Sequence, residues 1–98
     1  MRLTATEIAA IKAAARNAFG DTAVVRLFGS RVDDSRRGGD IDLHVEVDPP
    51  FDLYARRHEF IERLFARIDA QRVDVIATIR SEPARPIEQI AYRDGIIL

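Results

Sequence analysis

Asp40 and Asp42 stand one residue apart in the run Gly39-Asp40-Ile41-Asp42-Leu43. On a β-strand that spacing sends both carboxylates to one side, about 7 Å apart along the backbone. Two like charges held this way repel unless a cation sits between them. Hard carboxylate oxygens suit Mg²⁺, with Mn²⁺ as an alternative, and Mg²⁺ is typically held by one or two carboxylates together with substrate phosphates. A third acid, Asp74, interrupts the apolar run Val73-Asp74-Val75-Ile76. If its strand neighbours that of Asp42, it faces the same side. Three acids on one sheet face are an arrangement for two metal ions clamping an in-line phosphoryl displacement.

The complementary half is Phe28-Gly29-Ser30-Arg31, just upstream. A glycine at a strand end lets the backbone approach a phosphate closely, and the amides that follow, with the Ser30 hydroxyl, can donate to anionic oxygens. Arg31, Arg36 and Arg37 add three positive charges to the same loop, available to a triphosphate. Arg31, next to Ser30, is the best phosphate ligand of the three. Alone, an Asp-x-Asp strand is most simply a solvated face and a Gly-Ser pair most simply a turn. Their order along the chain, joined to a strand-borne third acid, makes a nucleotide site. His44 continues the Asp face one pleat further and is expected as an ordinary exposed strand histidine.

Several elements must position these groups. Thr4 and Glu7 form a capping box opening a helix over 5–19, with Ile8, Ile11, Ala15, Ala18 and Phe19 on one stripe and Gly20 closing it. Residues 23–28 are β-branched and apolar, a short strand. Residues 29–39 form a polar, glycine-bearing loop with room for one helical turn from Ser30. Ile41 to Val47 alternates strictly, so Ile41, Leu43, Val45 and Val47 face a core while Asp40, Asp42, His44 and Glu46 face away. Asp52 caps a second helix running to about Ile68, with a seam of Leu53, Phe60, Ile61, Leu64, Phe65 and Ile68. Arg56, Arg57 and His58 are read as its solvent face, and Glu59 with Arg63 as an exposed i,i+4 pair. Residues 72–78 make a third strand. Pro86 suits the first turn of a last helix whose seam is Ile87, Ile90 and Ala91. Gly95 ends it, and Ile96 to Leu98 is an apolar tail that packs or adds a strand. The expected fold is α/β, with one small mixed sheet of three or four strands packed by helices.

At Leu27 to Arg31, Gly39 to Leu43 and Val73 to Ile76 the chain resembles the nucleotidyltransferase superfamily related to DNA polymerase β. That family carries a strand-terminal Gly-Ser, an Asp-x-Asp strand and a third acid on a later strand. The near hundred-residue length and the closing Ile90 to Ile97 segment look like its minimal, MNT-type branch. The loop from Ser30 to Asp40 is one residue shorter than usual there, and Gly39 stands where a serine commonly precedes the first Asp. The resemblance implies Asp40, Asp42 and Asp74 as catalytic metal ligands and Gly29, Ser30 and Arg31 as the phosphate-binding set. It further implies ATP as the NMP donor, transfer to a protein hydroxyl, and an antitoxin role beside a helical HEPN toxin in a prokaryotic cytoplasm.

Composition narrows the field independently. The 98 residues are expected as one domain spanning 1–98. Hydrophobic residues at 47% and charged residues at 32% describe an ordinary soluble globular chain, not a disordered one. No cysteine is present, which excludes a disulfide scaffold and thiolate metal sites. A net charge of −1 gives no general pull toward nucleic acid or anionic membrane. No secretory signal or membrane span is legible. A core of this size is expected to lack the extra helical domain with which small-molecule nucleotidyltransferases hold their acceptor, as well as a basic surface for nucleic acid, so the acceptor surface is expected to come from something else, which the resemblance implies is a partner protein. The alternative is a non-catalytic binding module that silences a partner by covering it through the helices at 52–68 and 86–95 or the tail at 96–98.

Overall fold

The computed structural model describes residues 3–32, 40–49, 52–68 and 73–98. Arg36, Arg37, Gly39 and the start of the third strand at Arg72 lie outside them. Among the described residues the chain forms three helices and a four-stranded mixed sheet. The order is α1 (Ala5–Phe19), β1 (Val24–Phe28), a 3-10 turn (Gly29–Val32), β2 (Ile41–Val47), α2 (Leu53–Phe65), β3 (Val73–Ile79), α3 (Pro86–Asp94) and β4 (Ile96–Ile97). The strands lie in the order β3-β2-β1-β4. β1 runs antiparallel to both β2 and β4, whereas β2 and β3 are parallel. Parallel neighbours cannot be joined by a tight turn, and α2 is the crossover between them.

Local signals set the ends of the helices. Thr4 Oγ1 accepts from the Glu7 amide at 3.1 Å, and the Glu7 carboxylate accepts from the Thr4 amide at 2.9 Å. Two orphan donors of the first turn are thereby satisfied. Asp52 accepts from the Ala55 amide at 3.2 Å and starts α2. Pro86 opens α3, and Glu88 accepts from the Arg85 amide at 2.9 Å.

Period-two alternation gives the sheet two different faces. Ile41, Leu43, Val45 and Val47 of β2 are buried, with at most 1% of their surface exposed, and join Val25, Leu27 and Val75 beneath α1 and α2. Phe19 of α1 meets Phe60 of α2 with ring centroids 5.8 Å apart. The opposite face carries Arg26, His44, Glu46 and Thr78, and α3 lies over it through Tyr92.

Three expectations about packing are corrected. Phe65 is not in the α2 seam: it is 41% exposed, because α2 turns its Phe60 and Leu64 side into the core. Ile87 and Ile90 are also exposed, at 45% and 43%; of the expected seam Ala91 alone is buried, and α3 buries Glu88 beside it. The face it covers is polar, so the helix rotates its polar and small residues inward. Arg57 is not simply solvated, since its Nε donates to the Val75 carbonyl of β3 at 2.8 Å. Glu59 and Arg63 do pair, at 3.1 Å. The tail adds the strand β4, whose Ile96 stands opposite Leu27 of β1.

Candidate active site

The end of β1 lies beside the start of β2. Phe28, the last residue of β1, is the register partner of Asp42, and Gly29 follows with φ of 76°. Such a φ favours glycine, and the surroundings require it as well. A Cβ built on Gly29 would run into the Asp42 carboxylate, meeting Oδ2 well inside contact distance and Cγ at 3.1 Å. The turn thus passes directly against the acid. Ser30 and Arg31 continue it in 3-10 conformation, with Arg31 half-buried.

On the other side of Asp42 lies β3. Asp42 and Asp74 are register partners in the parallel ladder, so the two acids stand opposite each other on adjacent strands, roughly 5 Å apart at the backbone. Both belong to the face that also carries His44, and Asp74 is exposed on the end strand while Asp42 is half-buried. Asp40 is half-buried immediately before β2. The structure therefore brings Gly29, Asp42 and Asp74 into one row across β1, β2 and β3, with Asp40 at its margin. Among the described residues no three His, Asp or Glu side chains are gathered closely enough to hold a metal ion.

His44 is the largest departure from expectation. It is fully buried, because α3 closes over it. Its Nε2 shares a hydrogen bond with Thr78 Oγ1 at 2.9 Å, and Thr78 Oγ1 lies 3.2 Å from the Tyr92 hydroxyl. The Tyr92 ring meets the imidazole edge-on at 4.7 Å and carries the Arg26 guanidinium 4.8 Å above its centre. His44 Nδ1 has no hydrogen-bond partner among the described residues. Burial holds the His44 imidazole below its ordinary pKa, Arg26 adds to this, and the charges of Glu46 and Glu88 oppose it.

Beyond His44, Glu46 accepts from Arg26 and from Arg80 Nε, both at 2.8 Å. Burial pushes the Glu46 carboxyl up, but these two guanidiniums outweigh it and hold the pKa below the usual value. Arg80 also pairs with Asp48 and donates to the Thr22 carbonyl at 3.1 Å, tying the far ends of β2, β3 and the α1–β1 connection together. Sequence reasoning missed this buried polar layer. The signal was present in the parity of Arg26 and Glu46, both out of phase with the apolar face of their strands.

A family model for the nucleotidyltransferase domain matches residues 8–98. The chain belongs to that family, and its three helices and four-stranded mixed sheet are the nucleotidyltransferase fold in α/β form. Membership makes it a transferase of nucleotidyl groups. No match was found among curated proteins. No described helix is long and apolar enough to cross a membrane.

Proposed function

We propose that the protein transfers NMP, with ATP as donor, to a hydroxyl of a partner protein, and that it works as the antitoxin of a HEPN-type helical toxin. The observation that carries the reading is the row Gly29, Asp42, Asp74: a backbone turn free of a Cβ, pressed against one acid, with a second acid in register on the next strand. The donor set suits a hard divalent cation in its chemistry, since Asp40, Asp42 and Asp74 offer carboxylate oxygens at one end of the sheet. These three residues would hold Mg²⁺, which when bound neutralises phosphate charge in the transfer.

The remaining work belongs to the chain. Gly29, Ser30 and Arg31 bind and orient the triphosphate, the amides of the turn facing its oxygens. Asp74, on the exposed end strand, receives the proton of the acceptor hydroxyl. That oxygen forms a bond to the α-phosphorus while the bond to the leaving pyrophosphate breaks. The protein's contribution is positioning and charge stabilisation.

The test is calorimetric titration of ATP with Mg²⁺ into the wild type and Asp42→Asn, followed by transfer of α-labelled ATP to the co-expressed partner. Metal-dependent binding that vanishes in the variant, with label on the partner, supports the reading. Absence of metal-dependent binding in the wild type with its partner present overturns it.

The exposed pair Ile87 and Ile90 on α3 favours a second reading, a module that silences its partner by covering it. Neutralisation that survives Asp42→Asn supports covering, and neutralisation that is lost supports catalysis.

A further inference from the structure

β3 is one of the two end strands of the sheet and, among the described residues, pairs on one side, with β2. Asp74 is its second residue and is exposed. The acid proposed to receive a proton from an incoming hydroxyl is thus carried by an end strand, held by a backbone ladder on one side. Misplacement by about 1 Å costs on the order of a hundredfold in rate, so whatever else fixes that strand matters to the chemistry.

The structure supplies one such group. Of the three consecutive basic residues on α2, Arg56 pairs with Glu59 at 3.1 Å and His58 with Glu62 at 3.0 Å, both within the helix. Arg57, by contrast, reaches off it among the described residues, donating from Nε to the Val75 carbonyl at 2.8 Å in a partly buried bond. That carbonyl belongs to the residue directly after Asp74. α2 is also the crossover that joins β2 to β3, so the bond closes the β2–α2–β3 unit on itself at the level of Asp42 and Asp74.

We infer that Arg57 is a positioning residue for the transfer reaction. Its guanidinium clamps the Val75 carbonyl and so fixes the backbone that presents Asp74 opposite Asp42. The inference rests on the proposed role of Asp74. A Lys at this position can still offer one N–H to the carbonyl, whereas Ala cannot.

The experiment compares wild type, Arg57→Ala and Arg57→Lys well below their melting midpoints. One readout is pyrophosphate release from ATP and Mg²⁺ with the co-expressed partner protein as the hydroxyl acceptor. The other is amide hydrogen exchange along β1 and β3. We expect Arg57→Ala to lower kcat roughly ten- to a hundredfold with KM for ATP unchanged. We also expect faster exchange in β3 but not β1, and recovery of most of both in Arg57→Lys. Wild-type turnover in Arg57→Ala, or a raised KM with kcat intact, overturns the inference, the latter making Arg57 a nucleotide ligand. A wild type that releases no pyrophosphate removes the proposed function instead. Exchange alone then decides the clamp, and β3 protection unchanged by Arg57→Ala overturns it.

Discussion

Gly29 is where backbone and acid meet most closely, which makes it the sharpest single-residue test of the site. Gly29→Ala forces an L side chain to φ of 76° and drives a methyl group into the Asp42 carboxylate. The left-handed backbone alone costs about 1–2 kcal/mol, and the acid must move. The expected result is a modest drop in melting temperature with loss of Mg²⁺-dependent ATP binding, read by thermal melt and calorimetry. His44 makes a separate prediction, on stability. Its folded pKa lies below the ordinary 6.5, so the native state keeps it neutral while the unfolded chain takes up a proton below about pH 6.5. Stability is full above that pH and declines as acid is added. Glu46 and Glu88, held below the ordinary 4.5 by their arginines despite burial, contribute stability that is lost below about pH 4.5. Denaturant melts across pH 4–7 check this, and His44→Gln is expected to flatten the upper part of the curve only. The groups that face His44 are Arg26, Glu46, Glu88 and Tyr92.

Elements differ in how far their own residues reveal them. The α1 boundaries follow from a capping box and a closing glycine, and β2 from seven residues of strict alternation. Both are local signals, so both were legible before any tertiary information. The order of the site motifs was legible for the same reason: Gly29 ends a strand, Asp42 sits near the start of the next, and each lies in a short pattern. α3 was not. Its apolar Ile87 and Ile90 read as a seam, yet they face outward because the sheet surface it covers is built from Arg26, His44, Glu46 and Thr78. Which surface a helix meets depends on topology, which no nine-residue window contains. The exposure of His44 was misjudged by the same gap. A direct consequence is that Ile87→Ser and Ile90→Ser should each change stability by less than about 0.5 kcal/mol. Glu46→Ala, which strands two partly buried guanidiniums, should cost about 2–3 kcal/mol, somewhat less than a wholly buried pair because Arg80 is a third exposed. Urea unfolding of the three variants side by side measures the contrast.

Across the whole molecule, the sheet divides labour between its faces. One is a dry apolar layer under α1 and α2, in which Phe60 and Leu64 are fully enclosed. The other is a connected polar layer under α3, with the acids at one end and the Arg80 junction at the other. The edges are handled differently as well. β4 covers the outer side of β1, and the Leu98 amide donates to the Val25 carbonyl at 2.9 Å. Removing residues 96–98 would uncover that strand, and an uncovered edge is a template for pairing with another chain. The expected outcome is a lower melting temperature together with self-association, seen by light scattering, while Asp42 and Asp74, two and three strands from β4, keep their register.

That register also sets a clock. Asp42 and Asp74 meet only through the parallel β2–β3 pairing, which requires α2 to be formed and folded back across the sheet. Closing so long a segment pays its entropy before it gains its contacts, and parallel pairing is intrinsically slow for this reason. The β1–β2 antiparallel pair and the α1 cap can form from nearer neighbours. A nascent chain would therefore hold Gly29 against Asp42 before Asp74 arrives, able to touch a phosphate before it can accept a proton. Competence for transfer comes with the last long-range closure, so emerging activity during refolding would time the completion of the fold itself.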